Sequence, residues 1–331
     1  MIFTSVIDLK NYIHSKISDY IQHNCVLLNA PDHVNVGDQL IFQGEIDFLS
    51  QRDIIPNYIS SLFTFDWRDF SPDTLILLHG GGNFGDVWDE HQDFRLKVIK
   101  KYKKNRIFIF PQSVQYNNHH SLLNDAKSFS EHPNLTICAR DNYSYELLKQ
   151  HFNNEILLVP DMAFCSSYMN QRTTGKGGML LLKRRDREIP TTIPFRDYSN
   201  FEISDWPTFN LSLKNLAFKS IEKANRLFSK NIYYKINKGL SGDTTFGTVT
   251  YRDREYLISQ GVEFISNFDL VVSTRLHGHI LALLMGIPTI MIDNNYGKNS
   301  RFYNTWLQNI PNNSLVSSKE ELDSALKRYV V

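Results

Sequence analysis

Arg275, His277 and His279 stand close together in the run VVSTRLHGHILALLMGIP, from Val271 to Pro288. The apolar segment FDLVVS stops at Thr274, and ILALLMG reads as a helix that begins beside the two histidines. A helix entrance carries unpaired backbone N–H groups and the positive end of the helix dipole, so it favours anions. An arginine adds a two-pronged donor for phosphate or carboxylate. An imidazole titrates near neutrality and can move protons. The stretch predicts a pocket for a small, highly anionic substrate, with His277 as acid or base and His279 behind it. Lys298, in NNYGKN after the next apolar run TIMI, is either a solvated loop lysine or a further cation on the same anion. His-Gly-His also invites a metal reading, but no acidic residue accompanies it at metalloprotease spacing. No metal is expected.

Polar groups recur after other apolar runs. GGGNFGD (residues 80–86) follows TLILLH. Its glycines permit positive φ and close backbone approach. Gly81, Gly82, Asn83 and Asp86 are therefore candidates to meet a hydroxyl-rich ligand. The alternative is a tight strand-to-helix turn with Asp86 as N-cap. The segment is neither a Walker A loop nor a GxGxxG turn. Asn35-Val36-Gly37-Asp38 follows CVLLNAP in the same way. Asn35 is a candidate ligand contact, and Asp38 is either an N-cap or a base for a hydroxyl. Arg140 ends LTICA, where a buried arginine needs an anion; Asp141 or another acidic side chain is its structural alternative. Lys183–Arg187 is a solvated charge run or a phosphate contact.

The elements that position these residues alternate. Apolar runs at CVLL, LILL, IFIF, LTICA, EILL, MLLL, LVVS and TIMI read as strands. Amphipathic segments lie between many of them. Helices are expected near residues 7–21, 39–51, 94–104, 143–152, 212–230, 280–286 and 322–330. This rhythm predicts an α/β protein whose parallel sheets are covered on both faces. QRTTGKGG (171–178) has linker composition. Two Rossmann-like domains, residues 1–170 and 175–331, are expected to face a cleft. Ligands of open α/β sheets bind beyond the carboxyl ends of the strands, where every motif above falls. Residues 233–248 resist assignment.

The chain of 331 residues is long enough for two cores. A net charge of +1 gives no electrostatic argument for nucleic acid. The three cysteines, Cys25, Cys138 and Cys165, are widely spaced in apolar contexts and read as buried free thiols. No run approaches membrane-spanning length, and MIFTSVIDLKNYIHSKI lacks a signal-peptide pattern. A cytoplasmic location is expected.

HVNVGD, GGGNFGD, ARDNYSYELL, PDMAF, STRLHGH and NNYGKN occur in this order, and together they resemble the polysaccharide pyruvyl transferase family. The likeness runs from the first strand to about Trp306. It implies a glycosyltransferase-B-like fold and transfer of pyruvate from phosphoenolpyruvate to two hydroxyls of one sugar, giving a cyclic ketal. It also implies a donor site at Arg140, Arg275, Leu276, His277 and Lys298. No cofactor is implied. The expected acceptor is a lipid-linked oligosaccharide or polysaccharide precursor, with possible peripheral contact at the inner face of the membrane. Residues 188–249 match no family block. Two rivals remain open from the residues: a glycosyltransferase using a nucleotide sugar, and a non-catalytic sugar- or anion-binding component of an assembly complex.

Overall fold

The computed structural model describes residues 2–168, 177–185, 198–210, 216, 220, 245–246, 251–293 and 297–329. Residues 171–176 of the expected linker 171–178, residues 186–187 of the Lys183–Arg187 charge run and most of the expected helix at 212–230 lie outside these residues.

Two parallel sheets organise the described residues. The first contains β1 (Cys25–Leu28), β2 (Ile59–Ser60), β3 (Leu75–Leu78), β4 (Gly81–Gly85), β5 (Ile107–Gln115), β6 (Leu135–Ala139) and β7 (Glu155–Leu158). β10 (Thr245–Phe246) joins its edge, in the order β10-β2-β1-β3-β5-β6-β7, with β4 beside β5. The second runs β13-β12-β11-β8-β9. Its strands are β8 (Met179–Leu182), β9 (Phe201–Ser204), β11 (Leu270–Ser273), β12 (Thr289–Ile292) and β13 (Asn313–Val316). β1, β3, β11 and β12 are buried along their whole length, as strands covered on both faces must be.

The α-helices with bounds among the described residues are α1 (Val6–Ile17), α2 (Val36–Ser50), α3 (Asp89–Lys101), α4 (His119–Ser130), α5 (Asn142–His151), α6 (Tyr251–Ser266), α7 (Leu276–Leu284), α8 (Lys298–Trp306) and α9 (Lys319–Leu326). α1 begins with a capping box between Ser5 and Asp8. No helix among the described residues is long and apolar enough to cross a membrane.

The sequence expectation is corrected at two places. Gly80–Gly85 is not a tight turn into a helix. β3 pairs with the start of β5 and β4 with its end, so the glycines carry one strand line onward through a register shift. Gly81 (φ 122°) and Gly85 (φ 110°) occupy backbone space that only glycine enters cheaply. Secondly, β10 pairs with β2 in the first sheet, although the 175–331 segment was expected to build only the second.

In each sheet the chain starts a strand and then lays neighbours on both its sides: β2 and β3 flank β1, and β9 and β11 flank β8. Such a reversal leaves a crevice beyond the strand ends. One apolar cluster joins the two halves, including Leu40 of α2, Leu182 of β8, Ile280 of α7 and Trp306 of α8. The Trp306 indole also donates to the Arg140 carbonyl at 2.7 Å.

Candidate active site

The crevices of both sheets open into one cleft of about 620 Å³. Arg140, Arg184, Arg275, His277 and Lys298 line it. Arg140 follows β6, Arg184 follows β8, and Arg275 is the N-cap residue of α7. The α7 entrance lies directly after β11, because Gly278 lets the helix close onto β8. A Cβ there would lie 2.2 Å from Leu182 Cδ2.

Asp161 is the node between the halves. It is fully buried, and its Oδ2 accepts from Arg140 NH1 at 2.6 Å while lying 3.3 Å from His277 Nε2. Its Oδ1 accepts the Ala163 N–H at 2.9 Å, capping a short turn of 3-10 helix. Burial alone would raise this carboxyl, but the His277 ring and the Arg140 guanidinium outweigh it and hold it well below the usual carboxylate range. Arg140 Nε also donates to Ser113 Oγ at 2.9 Å. Its structural partner is thus Asp161 rather than Asp141, which caps α5. His277 packs against the first turn of α2, where a Cβ on Gly37 would come 2.9 Å from His277 Cβ and Nδ1.

Arg275 is held by Asp205, with Nε 2.5 Å from Oδ1 and NH2 2.8 Å from Oδ2. Its guanidinium carbon lies 5.2 Å from the centre of the Phe209 ring. Leu276 lines the cleft beside it. Lys298 begins α8 after Gly297 (φ 70°), and its Nζ donates to the Gly82 carbonyl at 3.0 Å. A cation from the second half therefore touches the glycine segment of the first.

On the opposite wall, Asn35 is the N-cap of α2, accepting the Gly37 N–H at 3.2 Å. Asp38 is not the cap. It sits in the first turn, accepts from Asn35 Nδ2 at 2.7 Å and lies 3.5 Å from His33 Nε2. Both line the cleft, as do Gly82 and Asn83. Asn83 is positioned by the buried Arg95, which donates to its side-chain and backbone oxygens. Burial is the main reason that the Arg95 guanidinium is pushed down to about 9.

Three expected site residues fall elsewhere. Asp86 neither caps a helix nor lines the cleft; its two oxygens accept the Asn117 and Asn118 N–H groups at 2.7 Å each. Gly81 is buried beside Ile41 behind the lining. His279 does not support His277. Its ring is fully buried, with its Nδ1 3.0 Å from Oγ1 of Thr289 on β12. Desolvation pulls its ring down to about 3, so it is a neutral core histidine.

Sequence reasoning missed Asp161, Asp205 and His91. His91 lines the cleft with its Nδ1 3.0 Å from Asn29 Oδ1. Only Asp161 left a signal, as the acidic residue of the PDMAF block. Among the described residues, no group of three metal-ligating side chains occurs.

Comparison with known proteins identifies the family. The profile of the family described as "Polysaccharide pyruvyl transferase" matches residues 35–296. The chain is 30% identical to "Putative pyruvyl transferase EpsO" of Bacillus subtilis (strain 168), over 96% of this chain and 97% of that one. It is 29% identical to "Pyruvyl transferase 1" of Schizosaccharomyces pombe, over 91% and 74% respectively. A crystal structure of protein KP1_0663 from Klebsiella pneumoniae superposes with a TM-score of 0.59, at 18% identity, covering 95% of this chain and 97% of that one. At that identity the likeness speaks to fold alone. The matched span contains residues of both walls of the cleft, from Asn35 to His277, while His33, Val34, Lys298 and Asn299 lie just outside it, and the chain belongs to the polysaccharide pyruvyl transferase family.

Proposed function

We propose that this protein transfers the pyruvyl group of phosphoenolpyruvate to two hydroxyls of one sugar in a surface or exopolysaccharide precursor, forming a cyclic ketal and releasing phosphate. The observation that carries this reading is the convergence of Arg140, Arg275 and Lys298, from both halves, on one cleft beside His277. Phosphoenolpyruvate carries a carboxylate and a phosphate on a small frame. Cations and the α7 entrance suit it without a metal or other cofactor.

The reaction needs a proton on the methylene carbon, two new bonds from hydroxyl oxygens to the central carbon, and loss of the phosphate oxygen from that carbon. One hydroxyl proton ends on the new methyl group and the other leaves with phosphate. His277, braced by Asp161, is the proton carrier on the donor wall. Asp38 is the base on the acceptor wall, among Asn35, Gly82 and Asn83. Such acid–base help contributes roughly 10²–10⁴-fold.

In this reading the two sheets are the cores of two Rossmann-like domains, about 1–170 and 175–331, arranged as in glycosyltransferase-B folds. The acceptor is a lipid-linked oligosaccharide or polysaccharide precursor, met at the cytoplasmic face of the membrane. Incubation with phosphoenolpyruvate and candidate lipid-linked oligosaccharides tests it. Phosphate release with a pyruvate-sized mass gain is expected. Activity with a nucleotide sugar instead, or none with any donor, would overturn it.

A further inference from the structure

α8 belongs to the second half, yet it meets the first half along its whole length. Lys298 Nζ donates to the Gly82 carbonyl, and Arg301 reaches Gln115 and Tyr143. Thr305 Oγ1 accepts the Asn142 N–H at 3.1 Å, and the Trp306 indole donates to the Arg140 carbonyl. Lys298, Arg301 and Thr305 follow one another at i, i+3 and i+7, so their contacts share one helix face. The same first turn is pinned to its own half. Asn299 is buried, and its Nδ2 donates to the Thr274 carbonyl at 3.2 Å and to the Ile292 carbonyl at 2.8 Å.

Arg301 is the member of this row that the cleft chemistry does not use, because it lies outside the cleft lining. Its guanidinium carbon stands 3.6 Å from the centre of the Tyr143 ring, and its NH1 donates to Gln115 Oε1 at 3.2 Å. Gln115 ends β5, and Tyr143 lies in the first turn of α5. Both partners are neutral, and the Tyr143 residue is 42% exposed. A cation on an exposed ring adds little to stability. What the contact does fix is the spacing between the start of α8 and the first half. That spacing matters one turn earlier. A Cβ on Gly82 would lie 2.9 Å from Arg140 NH2 and 3.5 Å from Lys298 Nζ, so a cation from each half closes on the same stretch of backbone. One anion can bridge the two only while they stay this close.

The geometry points to Arg301 as a positioning residue for Lys298, with the Tyr143 ring as its seat: the pair clamps the start of α8 to the first half and so sets how tightly the cleft holds an anionic donor between Lys298 and Arg140. That the donor is phosphoenolpyruvate rests on the pyruvyl-transfer reading. The clamp itself needs only a phosphate or carboxylate at that point.

Arg301→Gln removes the cation, and Tyr143→Leu removes the ring while leaving every charge in place. Each should raise KM for phosphoenolpyruvate about five-fold or more with kcat within about two-fold of wild type, because binding is lost equally before and during the reaction. Tyr143→Phe keeps the ring face and should behave as wild type. The double variant Arg301→Gln, Tyr143→Leu should be no worse than either single one, since both remove the same contact. In a Lys298→Met background, Arg301→Gln should add nothing to KM, because the residue through which it acts is gone. A further rise in that background overturns the proposal. So does a Tyr143→Leu enzyme whose KM stays in place, whatever urea unfolding shows for its stability. If the wild-type protein is silent with phosphoenolpyruvate, the pyruvyl reading fails, and calorimetry with inorganic phosphate decides on the clamp. Weaker phosphate binding by Tyr143→Leu than by wild type supports it; equal binding, or none by wild type, overturns it.

Discussion

Asp205 meets Arg275 at two points, Nε on Oδ1 and NH2 on Oδ2, so the arginine that the sequence assigns to the donor is already oriented by a carboxylate of its own half. A guanidinium can serve both partners because its donors form a fixed planar fork; an ammonium cannot. Arg275→Lys should therefore lower kcat/KM for phosphoenolpyruvate nearly as much as Arg275→Ala. Asp205→Ala should cost about 3 kcal/mol of stability, since it strands a buried charge. Steady-state kinetics and urea unfolding measure the two effects. Normal turnover in both Arg275 variants would mean that the donor site lies elsewhere.

The two histidines of the HGH segment should behave very differently. His277→Asn should bind phosphoenolpyruvate with modest loss but slow the chemical step by about 10²–10⁴-fold. His279→Asn should leave the chemical step nearly intact and act on stability, because its ring bonds Thr289 in the core. Single-turnover kinetics with donor binding measured separately will decide; the reverse pattern would exchange the two roles.

Gly37→Ala probes the contact between the halves. Its methyl would lie 2.9 Å from the His277 ring, closer than van der Waals contact allows. Either the ring or the first turn of α2 must give way. A drop in single-turnover rate of about ten-fold or more is expected, with a small change in Tm. An unaffected rate would show that His277 need not hold its present position.

Acid stability should reveal His279. Its folded-state value is about 3, against about 6.5 in an unfolded chain. The unfolded state therefore binds the extra proton between those limits, and stability falls as pH drops below about 6.5. The loss from this one group is at most about 1.4 kcal/mol per pH unit. His279→Gln should be less stable than wild type at pH 8 and close part of that gap at pH 4.5, by urea unfolding at both. A constant gap would mean that the ring is protonated in the folded protein.

Turnover should persist after exhaustive treatment with a chelator, as expected if Arg140, Arg275 and Lys298 balance the donor's charge. Stoichiometric metal whose removal abolishes activity would refute this.

The apolar strands were legible because a parallel sheet covered on both faces demands unbroken runs, and LILL, LVVS and TIMI supply them. Edge strands β9 and β13, FEIS and NSLV, escaped notice because solvent reaches them and relaxes the demand for apolar residues. Arg140, Arg275, His277 and Asp38 could be picked out because each follows a strand end, a position fixed by local order along the chain. Asp161 and Asp205 could not. Asp205 looks like an ordinary turn aspartate, Asp161 stands out only as the acid of PDMAF, and their partners Arg140 and Arg275 lie 21 and 70 residues away in the chain. Asp86 and His279 misled for the converse reason: their neighbours in sequence suggested a site, and packing turned them towards loop amides and the core. The sequence by itself determined which residues stand at the carboxyl ends of strands, because hydrophobic patterning sets the strands. Only the tertiary structure decided which carboxylate each cation meets, because burial makes an unpaired charge too costly and the available partner is chosen by proximity in space.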